Sequence, residues 1–441
     1  MNSSPGAEAL LADLPNRGFP EAEIYEKRGR SRRFVATSKE SPAPGTGAEA
    51  GPESRSLAQA SASEEGWAVR AGDRRRSLFH AATGSAEAAL QLVDPSPHPL
   101  LLPDPQTGPL DPWRETPDFD SALVNETGAS QLFQAIEREM RKELRNARLV
   151  AADFEEGSAE SALLSTRGVR AAWRTRAAAL RLEVRDGDRG CRFEGAESMA
   201  RDFDPLALAR RLVDRLCALE PRRAAAGSSG PVVLIAAPLA ARLIQACAPL
   251  FVGPASRGAA LGALSPAITL IDDGRFASGV LAAPFDGEGL PSGPVTLVET
   301  GRFVRSLLAW WETERIPVPG CARRASWRDL PRRAPTHLYL LPSQTGVAEL
   351  VESVGAGAYL LDAEGPVRVD RSTLAFDVAV SGLEIVAGRA VAPLGAVRLC
   401  GDLKALLTGI RQLGRDLQFV PGDGMFGAPS LVVEGLRVLP L

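Results

Sequence analysis

Three histidines, five cysteines and four lysines are all that this 441-residue chain contains of those types. A zinc centre needs three or four converging nitrogen, sulfur or oxygen ligands. His80 closes a strand-like run, His98 lies between Pro97 and Pro99, and His337 stands alone in a third stretch, so all three are expected to be structural or solvated. Cys191, Cys217, Cys247, Cys321 and Cys400 are odd in number, far apart and without a C-x-x-C pair, which argues against a disulfide framework and for a reducing compartment. The start of the chain has neither a basic segment nor an apolar stretch of signal-peptide length, so export is not expected. The most apolar window, residues 232–252, is broken by Pro238, Arg242, Gln245 and Pro249 and cannot read as a membrane span. A cytoplasmic protein is expected. A net charge of -3 and a pI near 5.9 offer no general attraction for nucleic acid or anionic lipid.

What remains is ordinary globular composition, 45% hydrophobic and 24% charged, at a length that predicts two or three domains. Strand-like runs at residues 22–26 and 33–37 around Gly29 suggest a hairpin. Residues 41–65, rich in Pro, Gly, Ser, Ala and Glu, read as a disordered insert. Helices are expected over 131–146, with Leu132, Ile136, Met140 and Leu144 as its stripe, and over 206–219, separated by a meander of short strands. The Ala-, Ser- and Gly-rich passage 222–230 places a domain boundary, giving an N-terminal α/β domain over 1–228 with a mixed sheet and a β-rich domain over 229–441. The second is expected to hold a large antiparallel, barrel-like core, so that the whole is α+β.

The informative stretch runs from Pro231 to Gly301. Residues 232–236, Val-Val-Leu-Ile-Ala, are a buried-strand pattern; Pro238 then opens a helix carrying Leu239, Leu243, Ala246 and Leu250 on one stripe, and Pro249 ends or kinks it. Asp272-Asp273-Gly274 and Asp286-Gly287-Glu288-Gly289 follow, with Glu299-Thr300-Gly301 closing the next strand. Paired carboxylates can perform acid-base chemistry when burial separates their pKa values, but Asp-Gly strings more commonly cap turns. Near the C-terminus stands Gly427-Ala428-Pro429-Ser430-Leu431-Val432-Val433-Glu434-Gly435-Leu436-Arg437-Val438. Together these motifs resemble the TldD/PmbA family, most specifically over residues 225–441.

Catalytic members of that family carry H-E-x-x-x-H on the helix after the buried strand and a cysteine near the C-terminus. The resemblance sets Ile244 at the first histidine, Gln245 at the glutamate, Pro249 at the second histidine and Phe426 at the cysteine. Ile, Pro and Phe side chains have no lone pair to offer a metal. The resemblance therefore implies the non-catalytic PmbA/TldE-like branch, with no metal or catalytic residue here, zinc in a TldD-like metallopeptidase paralogue, and a peptide substrate shared between the two. Asp286 and Glu288 are the candidate substrate-binding residues, and Trp310 and Trp311 are candidates for the subunit contact. Two alternatives stay open: a peptidase using other residues, and a stand-alone peptide-binding scaffold.

Overall fold

The computed structural model describes residues 5–38, 55–83, 100–105, 122–145, 147–186, 192–199, 204–218, 232–254, 257–277, 279–313 and 319–441. Its N-terminal half comprises α1 (Pro5–Asp13), β1 (Glu21–Ser38), β2 (Arg55–Gly72), β3 (Ser77–Ala82), α2 (Glu126–Met140), β4 (Ala147–Ser165), β5 (Arg170–Asp186), β6 (Arg192–Met199) and α3 (Pro205–Ala218). The six strands form one sheet in the order β3-β2-β1-β4-β5-β6, and every neighbouring pair is antiparallel. The mixed sheet expected for this half is therefore replaced by a purely antiparallel one. Short connections join β2 to β3 and β4 to β5, while the longer stretch between β3 and β4 carries α2 and brings β4 to the far side of β1.

The hairpin expected around Gly29 is also corrected. Residues 21–38 are one strand, and Gly29 pairs with Glu64 on one side and Ala159 on the other. Two ladders hold the polar middle of β1 extended without a hydrophobic pattern. The disordered insert shrinks for the same reason: residues 55–65 belong to β2, in register with residues 28–38 of β1, while 41–54 lie outside the described residues, as does the 222–230 linker. Small Ala and Ser side chains suit an exposed outer ladder, and backbone pairing orders them where apolar burial does not.

Asn125 caps α2 by accepting a hydrogen bond from Gly128 N at 2.9 Å. Phe133, Ile136 and Met140 of α2 and Leu208, Leu212 and Leu216 of α3 bury against Phe34, Phe154, Leu180 and Leu182 of the sheet. Leu132, expected in the stripe, only flanks this cluster.

The C-terminal half continues with β7 (Val232–Ile235), α4 (Ala237–Cys247), β8 (Leu270–Asp273), β9 (Pro294–Glu299), β10 (Arg302–Phe303), α5 (Trp310–Thr313), β11 (Ala322–Arg323), β12 (Arg332–Arg333), β13 (His337–Leu340), α6 (Val347–Val354) and β14 (Gly357–Ala363). It closes with β15 (Arg368–Val369), β16 (Ala375–Val386), β17 (Arg389–Pro393), β18 (Val397–Asp402), α7 (Leu403–Gly409), β19 (Ile410–Leu413), β20 (Gln418–Gly422), β21 (Gly424–Ala428), β22 (Leu431–Glu434) and β23 (Arg437–Pro440). One sheet runs β10-β9-β8-β13-β21-β20; the other runs β19-β22-β7-β14-β16-β18-β23, with β15 and β17 also on β16. The fold is α+β, as expected. Among the described residues, however, no sheet closes into a barrel, and β13/β21 and β7/β14 are parallel pairs within otherwise antiparallel sheets.

Helix α4 lies where the two sheets share a core. Leu239, Leu243 and Ile244 pack in one cluster with Leu270, Leu338 and Phe426 of the first sheet and Val233, Leu360 and Val433 of the second. Pro238 sits in its first turn, and Pro249 falls in the 3₁₀ turn Ala248–Leu250 that ends it, as the missing Pro N–H requires. Trp310 and Trp311 are on the single turn α5 rather than a strand, and both are half-buried.

Candidate functional site: the cleft between the two halves

A cavity of about 480 Å³ opens between the N-terminal sheet and the C-terminal loops. Tyr25, Lys27, Ser161 and Trp173 line one wall; Phe285, Asp286, Arg323 and Arg332 contribute to the other. The alternation of β1, β4 and β5 places Tyr25, Ser161 and Trp173 on one face. There Tyr25 Oη and Ser161 Oγ are 3.1 Å apart, and the Trp173 ring lies 5.9 Å from that of Phe285. Asp423 accepts from both arms of Arg332, at 2.6 and 2.8 Å, so the rim charges are largely paired.

Asp286 is buried, and its carboxylate accepts backbone N–H groups from Glu288 and Leu290 at 2.9 Å and from Ala322 at 3.0 Å. This is the turn-capping role that an Asp-x-Glu-Gly string suggests. Burial raises its pKa, against the three N–H donors that lower it. Glu288, fully buried, does not reach the cleft wall. Neither of its oxygens has a hydrogen-bond partner, and Arg70 approaches Oε1 only to 3.6 Å. Burial pushes its carboxyl well above the usual range, Arg70 opposes that shift, and the neighbouring Asp286 and Glu23 add to it.

Behind the cleft lies a buried charge cluster that sequence reasoning missed. Glu23 and Arg70 face each other across β1 and β2, bonded through both guanidinium arms at 2.7 Å; Arg324, from the other half, also donates to Glu23. Burial would raise the Glu23 carboxyl, but the two arginines outweigh it and hold it below the ordinary range. With Glu288 protonated, Glu23 and Asp286 balance Arg70 and Arg324 in charge. The available signal was a charged residue inside each of two apolar runs, Ala22-Glu23-Ile24 and Val69-Arg70-Ala71.

The degenerate-motif residues are dispersed into different environments. Ile244 and Phe426 are buried in the shared core, Gln245 is half-buried and Pro249 is exposed. Gln245 and Phe426 do meet: both press on the space a side chain at Gly422 would occupy, and Gly422 belongs to the cleft lining. The residues present do not fit a zinc ion, since Ile, Pro and Phe donate nothing. Among the described residues, no group of three or more His, Cys, Asp or Glu is placed to hold a metal.

The remaining candidates are structural. Burial holds the His337 pKa down at about 4. Its Nδ1 lies 3.0 Å from the Asp273 carbonyl, Nε2 accepts from Leu281 N at 3.4 Å, and its ring stacks on Phe276. The Asp273 carbonyl can only accept, so Nδ1 carries the proton. Asp272 accepts from Thr336 N at 2.8 Å, and burial raises it to about 7. Burial also raises Cys247, to about 12, as well as Cys321 and Cys400, the opposite of what a nucleophilic thiol needs. His80 is half-buried beside Trp67, and His98 lies outside the described residues.

Residues 259–439 match the family described as the PmbA/TldA metallopeptidase C-terminal domain. The C-terminal part of the chain is thus similar to the TldD/PmbA family. A curated relative, the metalloprotease TldD homolog of Buchnera aphidicola, is 26% identical over 185 residues, a match spanning 38% of each chain. Among solved structures, TldE from Thermococcus kodakarensis aligns with a TM-score of 0.82 at 15% identity, covering 98% of this chain and 99% of that one. A putative modulator of a DNA gyrase from Thermotoga maritima aligns at 0.77 and 16% identity over 98% and 99% of the respective chains. At these identities the structural likeness establishes the fold.

Proposed function

We propose that this chain is a non-catalytic, PmbA/TldE-like subunit of a cytoplasmic TldD/PmbA-type metallopeptidase, paired with a TldD-like paralogue that carries the zinc and cleaves the peptide. The carrying observation is that Ile244 and Phe426 are core side chains packed in one cluster, so the motif positions have been given over to packing. Gln245 cannot act as a carboxylate base toward a metal-bound water. Similarity to TldE from Thermococcus kodakarensis supports the same branch. The interdomain cleft is the natural place for this subunit to contribute to a shared peptide channel, with the edges of its short strands offering main-chain hydrogen bonds.

Co-expression with an H-E-x-x-x-H paralogue of similar length tests the reading. One co-eluting species is expected on size exclusion, with peptide cleavage only in that species. Two separate peaks with full activity in the paralogue alone would reject it. Stoichiometric zinc on this chain purified alone would reject it independently.

A further inference from the structure

A second and larger cavity, of about 760 Å³, lies along one face of α4, lined by Arg242, Gln245, Ala246 and Pro249 of the helix and its terminal turn. These positions follow the helical repeat i, i+3, i+4 and i+7, so a single stripe faces the cavity. Opposite stand Val367, Val369 and Leu374, an apolar wall, and at the rim Arg257 and Arg371. Three arginines from three chain segments therefore border one cavity whose lining, among the described residues, includes no acidic residue.

Their own bonding leaves capacity for a ligand. Arg257 donates to the Arg371 carbonyl at 3.1 Å, which ties two rim segments together and leaves its other donors unassigned. Among the described residues, no carboxylate lies within ion-pair distance of Arg257 or Arg371. Arg242 Nε has no hydrogen-bond partner; its nearest acid, Asp362, is 3.9 Å away and already bonded by Arg215 at 2.8 Å. Guanidinium groups favour carboxylates through paired N–H donors, and an apolar wall beside them favours an aliphatic body. A volume of this size is typical of small-ligand sites.

We propose that this cavity binds an aliphatic carboxylate, presented as the free C-terminal residue of a peptide, with the α-carboxylate at the arginine rim and the last side chain against Val367 and Val369. The inference rests on the cavity and its arginines, and it stands whether or not the paired-subunit reading does.

Calorimetric titration of the full chain with acetyl-Ala-Val-Leu as the free acid and as the C-terminal amide provides the test. The acid is expected to bind at least tenfold more tightly than the amide, and more weakly as salt is raised. Arg371→Ala combined with Arg257→Ala should weaken the acid by tenfold or more, and Val367→Trp should block it, with thermal melting of each variant monitored to confirm folding. Equal binding of acid and amide, or binding untouched by both the arginine and the occluding variants, would overturn the proposal. So would octanoate binding where the peptide acid does not, which would assign the carboxylate to a fatty acid.

Discussion

Asp286 accepts the backbone N–H of Glu288 at 2.9 Å, yet the carboxyl of Glu288 accepts nothing. Two acids in one turn thus have opposite structural roles: the first organises the loop, and the second is tolerated by it through protonation.

Replacing Asp286 with Ala should cost about 3 kcal/mol, because three buried N–H groups lose their acceptor at roughly 1 kcal/mol or more each. Asp286→Asn, which keeps one carbonyl oxygen, should cost less. Urea midpoints of the two variants provide the check, and equal loss would show that charge matters more than the hydrogen bonds.

Glu288→Gln should stabilise the protein at alkaline pH and leave it nearly unchanged near pH 5. The folded-state pKa of Glu288 is pushed up to about 8. Its protonated form is therefore held by the folded state while the unfolded chain loses its proton from about pH 4.5 upward. Parent stability from this group is full below that point and is lost as pH rises toward 8. A gain of roughly 4 kcal/mol for the variant at pH 8 is expected; a variant less stable than the parent at both pH values would contradict the assignment.

His337 should show no imidazole titration by NMR between pH 5 and 8, since its pKa lies near 4. Because the unfolded chain takes up that proton near pH 6.5, this residue's contribution to stability is present above that pH and is lost as pH falls toward 4. A resonance titrating near 6.5 and assigned to His337 would overturn the buried, neutral assignment.

Phe426→Ala should destabilise by about 3–5 kcal/mol, the range for deleting a buried aromatic side chain. Pro249→Ala, at an exposed position, should change stability by less than about 1 kcal/mol. Comparable losses at both sites would mean that the former motif positions share one structural role.

Removing residues 55–65 should lower the melting temperature and promote aggregation, because it exposes the ladder of β1 that now pairs with β2. A thermal scan with light scattering decides this; a parent-like melt would show that the pairing of β1 with β2 adds no stability.

Legibility in the sequence followed the strength of local patterns. The run Val232–Ile235 and the helix from Pro238 could be read because apolar period and proline placement agree, and the Asp286 turn because Asp-x-Glu-Gly has a local mechanism. The continuity of β1 through Gly29 could not be read, since pairing partners far along the chain hold it. The charges of Glu23 and Arg70 within apolar runs hinted at burial, but not at their partners: the Glu23–Arg324 contact joins residues 301 positions apart, and no local signal encodes that meeting. The arginines around the second cavity were hidden for the same reason, being scattered among many others.

The ribbon of β1, β2, β4 and β5, with strands of 17–19 residues, spans roughly 60 Å at about 3.3 Å per residue. Its ends are clamped by separate apolar clusters, one around Phe34 and Phe154 and one around Ile24 and Trp67. Between them, no residue of β1 from Glu26 to Arg33 is buried. This waist is spanned by polar links such as Lys27–Glu64 at 2.6 Å and Arg30–Ser158 at 3.2 Å. The consequence is mechanical: each end of the ribbon is fixed by its own apolar core, while polar links alone join β1 to its neighbours at the waist, which makes the waist the compliant part of the ribbon.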